Sequence, residues 1–250
     1  ADSLYLAQLQ ERRAEGVDLR FWVGDQGGRW TDSVIWTNWS RTLAGRTNAA
    51  LPGPRDDVVF NVAGSAAVTT RPGTDVAIHG LALDAAAAPV TLRLGAADGR
   101  LTLGAHGITS FAGSHTIVGD AGGSGAPGDL LVAGSQTWEI RGTSRLTIDA
   151  RLGRAAGVNG DVVTKTGPGT LVLAESSGGS NSFKAGWQIA QGVVRIEKSD
   201  AFGWSYNPVA VAPGGAIELA GVGLGLQNSD LRLAGQGVGG TGSLRSLSGS

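Results

Sequence analysis

Gly169-Thr170-Leu171-Val172-Leu173, Gly192-Val193-Val194-Arg195-Ile196 and Gly215-Ala216-Ile217-Glu218-Leu219 are variants of one phrase, a glycine followed by apolar residues two and four positions on. Their glycines lie 23 residues apart (192 − 169 and 215 − 192), and a looser copy begins 27 further on at Gly242, with Leu244 in the matching place. A fixed period of this size, with a short alternating strand in every copy, predicts a solenoid whose coils stack to bury a shared core.

Aligning the copies places Leu171, Val194 and Ile217 in one inward stack and Leu173, Ile196 and Leu219 in a second. The position between them holds Val172, Arg195, Glu218 and, in the looser copy, Arg245. In that register Glu218 can pair with Arg195 and with Arg245, across coils about 4.8 Å apart. On an exposed face each such pair is expected to contribute only about 0 to 1 kcal/mol.

Composition agrees with a turn-rich stack. The 250 residues include 42 glycines and 8 prolines, but no strict every-third glycine, which excludes collagen. Apolar residues make up 41%, enough to predict an ordered chain. The net charge of −1 arises from 20 basic and 21 acidic residues without a basic stripe, so no nucleic-acid partner is expected. Without cysteine there is no disulfide framework and no thiolate metal site. No apolar run approaches the roughly 18 residues of a membrane span, and Glu11, Arg12, Arg13 and Glu15 interrupt any signal-peptide pattern. The chain opens at Ala1 and has no methionine, so it is expected to be a processed or excised piece of a longer protein.

Along the chain, residues 2 to 15 predict one helix, with Asp2 or Ser3 as cap, Leu6 and Leu9 on one face and Gly16 past its end. It is expected to pack over the exposed first coil, a docking role for a neighbouring molecule being the alternative. Trp22, Trp30, Trp36 and Trp39 crowd into residues 21 to 39 and are read as a cap covering the open end of the stack, with a sugar-stacking platform of Trp30, Trp36 and Trp39 as the rival. Asn38-Trp39-Ser40 fits the glycosylation pattern. Strands are predicted at Val58 to Val62, Val76 to Leu83, Val90 to Leu94, Leu101 to Leu103, Trp138 to Ile140 and Leu146 to Ile148, with Val90, Leu92 and Leu94 facing inward. The expected fold is all-β, a right-handed parallel β-helix (solenoid) with a short N-terminal helix and a Trp-rich cap. The expected divisions are 1–16, 17–60 and 61–250, with the repeat clearest over 163–250 and cut short at Ser248-Gly249-Ser250.

Lys165-Thr166-Gly167-Pro168-Gly169-Thr170-Leu171-Val172-Leu173, then Asn181-Ser182-Phe183-Lys184-Ala185-Gly186, then Gly192-Val193-Val194-Arg195-Ile196 resemble the autotransporter-associated β-strand repeat. Ala201-Phe202-Gly203 leading to Val209 and Val211, and Leu231 to Gly242 leading to Leu244 and Leu247, extend the resemblance to about residue 249. Two positions depart from it: Val193 stands where leucine is commoner, and Trp187 lies in a strand usually small and threonine-rich. The resemblance implies a β-helical passenger region of a large bacterial surface or secreted protein, exported across an outer membrane. It also implies a structural stem or an aid to secretion, with no catalytic residues to carry over.

Chemical motifs are sparse. Gly119-Asp120-Ala121-Gly122-Gly123 resembles a serine-protease nucleophile loop, but alanine stands in place of the nucleophile. Gly122-Gly123-Ser124-Gly125 before Asp129 is a broken, single calcium-type nonapeptide. Asp56 and Asp57 are adjacent, so on a strand their side chains point to opposite faces and cannot act as a carboxylate pair. Asp149, Glu197 and Glu218 do not recur at one coil position. His106 and His115 could share a metal only with a third ligand that the sequence does not identify, and His79 completes the histidines. No catalytic, cofactor-binding or metal-binding residue is therefore assigned, and no cofactor is expected. The expected function is a non-enzymatic β-helical scaffold at the cell surface or secreted, with an adhesive or spacer role. Its expected partners are further segments of a longer protein or copies of itself, with a host-surface or glycan ligand possible in principle. A head-to-tail fibre subunit and a carbohydrate-active β-helix are the alternatives.

Overall fold

The register of the repeats decides the architecture. The computed structural model describes residues 3–24, 26–33, 35–43, 47–61, 67–84, 88–119, 129–155, 160–174, 181–203, 207–221, 224, 226 and 230–248. One helix, α1 (Ser3–Ala14), precedes the strands β1 (Asp18–Trp22), β2 (Trp39–Ser40), β3 (Asp56–Phe60), β4 (Val68–Thr70), β5 (Val76–Asp84) and β6 (Val90–Leu94). There follow β7 (Leu101–Ala112), β8 (Ser114–Gly119), β9 (Asp129–Val132), β10 (Gln136–Ile140), β11 (Arg145–Asp149) and β12 (Arg151–Arg154). The last are β13 (Val162–Thr166), β14 (Thr170–Leu173), β15 (Gly186–Ile196), β16 (Pro208–Ala220), β17 (Asp230–Leu233) and β18 (Leu244–Ser248).

Apart from the short β1–β2 pair, the strand pairings are parallel, and they sort into three ladders that form the walls of a β-solenoid. Ladder A runs β1, β3, β5, β7, β10, β13, β15, β16, β17. Ladder B runs β4, β6, β8, β11, β14, β15, β16, β18. Ladder C is shorter and joins β5, β7, β9 and β12. The long strands turn corners: residues 101–103 of β7 lie in ladder C and residues 107–112 in ladder A, with a register shift between.

Every stacked position read from the repeats is observed. Leu171, Val194, Ile217 and Leu244 are successive partners, as are Leu173, Ile196 and Leu219, and as are Val172, Arg195, Glu218 and Arg245. The same periodicity holds Val90, Leu92 and Leu94 inside, each at most 2% exposed. Coil length is not constant. Along the inward line of ladder A, Val58 to Leu81 is 23 residues, Leu81 to Ile108 27, Ile108 to Trp138 30 and Trp138 to Lys165 27, before it falls to 24 and then 22 at Ile189 and Val211.

The shortening has a local cause, because ladder C gives way to asparagine-pinned corners. The Asn181 side chain accepts the Leu152 amide at 2.8 Å and donates to Ala201 O at 2.9 Å. Asn207 Nδ2 donates to Phe183 O and Phe202 O at 2.9 and 2.7 Å. A buried amide thus satisfies the backbone groups that a ladder strand would otherwise pair. Longer middle coils and the residues spent on the helix and cap limit the number of coils. At about 4.8 Å per coil the ladder from Val58 to Leu233 spans roughly 30 to 35 Å.

Aromatic residues cluster at two places in the core. Near the start, Trp22, Trp30 and Trp39 pack around Phe60, with Trp39 centred 5.1 Å from each of the other two indoles and donating from Nε1 to Trp30 O. Further along, Trp187 is buried edge-on to Trp138, Phe183 and Phe202, with centroids 5.5 to 5.7 Å apart. This explains the departure at position 187: it is an inward position of ladder A, and the indole fills the interior beside the asparagine corners.

The helix lies against β1 and along the flank of ladder A: Arg12 donates to Asp57 of β3 at 2.8 Å and to Thr109 of β7 at 3.2 Å. An outward apolar strip of Leu19, Phe21, Val59 and Ala82 makes this flank hydrophobic, which gives the helix a surface to cover. Gly16, at φ 80°, ends the helix in the left-handed conformation that favours glycine.

Candidate functional site

Two polar clusters are built into the stack, one inside it and one on its flank. The first is centred on Lys165, which takes an inward position of ladder A between Trp138 and Ile189. It is fully buried, and Nζ donates to Thr166 O, Gly167 O and Gln191 O at 2.9, 2.7 and 2.9 Å. Three acceptors match the three donors of an ammonium group. Burial pushes the pKa down to about 7, with the negative charge of Glu139 opposing it. Gly192 completes the cradle: at φ 75° a Cβ there would lie 2.4 Å from Gly167 O, 2.6 Å from Gly169 O and 2.8 Å from Lys165 Nζ.

Residues 163–196 match the passenger-associated-transport-repeat family model. This is the family that Lys165 to Ile196 resemble, and the matched segment supplies the whole Lys165 cradle and Asn181 itself, whose partners Leu152 and Ala201 lie on either side of it. No curated protein and no solved structure matches the chain. In this transport repeat the lysine, the glycines and the asparagine are packing devices. The lysine and the asparagine satisfy backbone groups at corners of the coil, and Gly192 leaves the room in which the lysine does so.

The repeat's charged line is also less exposed than expected. Glu218 is only 4% exposed, bonded to Arg195 at 2.7 Å and to Arg245 on the next coil. The expectation of fully exposed pairs is corrected: β18 and the two arginine stems cover the carboxylate. Burial alone would raise its pKa, but the hydrogen bonds and charges of the two arginines outweigh this and hold it below the usual carboxylate value. One carboxylate thereby ties three successive coils.

The second cluster lies under α1. Asp57, fully buried, faces His79 of β5 and His106 of β7: His106 Nδ1 is 3.2 and 3.0 Å from the two carboxylate oxygens, and His79 Nδ1 is 3.6 Å from Oδ1. The two imidazole centroids are 3.9 Å apart. Burial, with the neighbouring His106 ring, lowers the pKa of His79. Sequence reasoning missed this grouping. It paired His106 with His115, but His115 is a core residue of ladder B, 1% exposed, between Val90 and Leu146. Its Nδ1 accepts the Val90 amide at 3.2 Å and Nε2 donates to Ala112 O. The signal that could have joined His79 to His106 is the 27-residue spacing of that coil, visible in Gly80 and Gly107, which stand opposite one another.

The remaining candidates are dispersed. Asp56 accepts from Gly53 N and pairs with Arg20, away from the Asp57 cluster. Trp30 and Trp39 are 1% exposed, so a platform of three stacking indoles is not formed, and of its members only Trp36 is exposed, at 45%. Asn38 is buried, with its amide bonded to Gly27 O and Arg29 O and its oxygen to Gln26 N, so the asparagine of the Asn38-Trp39-Ser40 pattern is engaged in packing at the start of β2. Glu197 lies 3.8 Å from Arg145. The loop 119–125 lies outside the described residues from 120 onward. A groove of about 530 Å³ on the outer face of ladder C is lined by the pairs Asp75–Arg100 and Asp129–Arg151, with Arg154 and Ser182. No helix among the described residues is long and apolar enough to cross a membrane.

Proposed function

We propose that this chain is a non-enzymatic, rigid stem of an exported bacterial surface or secreted protein, working as a spacer that carries other segments away from the cell. The observation that carries the reading is the continuity of ladders A and B through the matched transport repeat and beyond it, from β3 to β18. Stacking of this kind needs only nearest-neighbour contacts, so a chain threaded outward can fold coil by coil, each coil templating the next. The use of buried Lys165, Asn181, Asn207 and Glu218 as fasteners between coils fits a stiff rod better than a moving active site.

The test places the chain between an export signal and an outer-membrane β-barrel translocator in a bacterial cell. Surface labelling of intact cells should detect the full chain, and removal of residues 163–196 should reduce that signal several-fold relative to total expression. Efficient expression with the intact chain held inside the cell would contradict the reading. Adhesion is the finer form of the same proposal, and binding of the displayed chain to host-cell surfaces or glycans would distinguish an adhesive stem from a spacer. A fibre subunit would instead show reversible growth in sedimentation with concentration.

A further inference from the structure

We propose that Asp57, His79 and His106 form a binding site for a divalent transition-metal ion of the zinc class, joining three successive coils beneath α1. Their ligand atoms all lie within 4.8 Å of one another. Ligands at about 2.0 to 2.1 Å around a tetrahedral ion stand roughly 3.3 to 3.4 Å apart. His106 Nδ1 and His79 Nδ1 stand 3.2 and 3.6 Å from Asp57 Oδ1, so the ion needs little movement of the side chains.

Five further observations mark this as a built site. His79 Nδ1 is buried without a hydrogen bond, a lone pair aimed into the cluster. Gly80 leaves the room in which the groups meet: a Cβ there would come 2.6 Å from His106 Cβ and 2.7 Å from Asp57 Oδ1. Arg12 holds Oδ2 of Asp57 at 2.8 Å and fixes the carboxylate, with His106 Nδ1 at 3.0 Å from Oδ2 and 3.2 Å from Oδ1, and His79 Nδ1 at 3.6 Å from Oδ1. The Glu15 carboxylate is 3.6 Å from His106 Nε2, beyond hydrogen-bond distance but on the side of the ring where a carboxylate supports a ligating histidine. A cleft of about 300 Å³ between α1 and the flank, lined by Glu11, Arg12, Glu15 and His106, gives an ion access.

Two imidazoles and one carboxylate suit zinc, copper or nickel rather than calcium or magnesium, which take oxygen ligands. The ion takes the Nδ1 lone pair of the neutral His106 ring, whose one N–H then sits on Nε2, on the side of the Glu15 carboxylate, so no proton is gained or lost. Arg12 is the opposing term, since a guanidinium beside the carboxylate repels the incoming cation and weakens affinity. The chain itself provides a control, because the third and last histidine, His115, is buried with both ring nitrogens engaged.

Titration of the full chain with zinc chloride by calorimetry at pH 7.5, with a parallel cobalt titration read by visible absorption, tests the site. The expected result is one equivalent bound, with affinity reduced by at least about tenfold in both His79→Gln and His106→Gln and raised in Arg12→Gln. Zinc should also raise the melting temperature of the native chain but not that of His79→Gln, whose own melting temperature without zinc is the reference for any loss of stability. No binding at millimolar zinc, or binding that both histidine variants retain, would overturn the proposal.

Discussion

Lys165 occupies a place that its ladder neighbours fill with Trp138 and Ile189, and it survives there because three carbonyls meet its three donors. Those carbonyls belong to Thr166, Gly167 and Gln191, at the corner where ladder A passes into ladder B on two consecutive coils. Removing the amine while keeping the length leaves the acceptors buried and unpaired. Lys165→Met should therefore lower stability by about 2 to 4 kcal/mol in a urea titration, although methionine is the more apolar residue. An unchanged midpoint would show that the corner carbonyls do not depend on the lysine. The lysine was read in the sequence only as a letter of the family pattern, since nothing in the alternation of Val163, Thr164 and Lys165 shows that position 165 faces inward. That requires the register with Trp138.

At the scale of a single wall, ladder B was the most legible part of the chain. Its strands in the later coils are flanked by glycines at a constant 23-residue step, so Leu171, Val194 and Ile217 align without any knowledge of structure. Ladder C was only partly visible: Val76 and Leu101 were placed on strands, but Asp129–Val132 and Arg151–Arg154 were not, because their coils are longer and the ladder ends where asparagine corners replace it. His115 interrupts ladder B's inward line with a titratable ring. Burial lowers its pKa below 6.5, with the Ala112 carbonyl opposing. As pH falls below 6.5, the unfolded chain takes up this proton before the folded chain does, so the contribution of His115 to stability is lost toward acid and constant above neutrality. The melting temperature of the native chain should fall more steeply from pH 7 to pH 5 than that of His115→Gln. Parallel curves would mean that the ring titrates alike in both states.

At the scale of the molecule, a solenoid has one core running along an axis, and its stiffness follows from the uninterrupted register of its walls. Periodicity made the solenoid legible, whereas the contacts between its flank and α1 were not, because Asp57, His79 and His106 are brought together by coils of 23 and 27 residues that no single repeat length aligns. The outward line Thr137, Thr164, Gln188, Ala210 and Arg232 crosses four coil steps of ladder A. The absence of cysteine allows spin labels to be placed at its two exposed ends alone. Double electron–electron resonance between labels at Thr137→Cys and Arg232→Cys measures the stack directly. Four parallel steps predict a narrow distribution centred near about 19 Å between backbones, widened by the label arms; a broad distribution, or a centre beyond about 35 Å, would contradict the parallel solenoid on which the whole account rests.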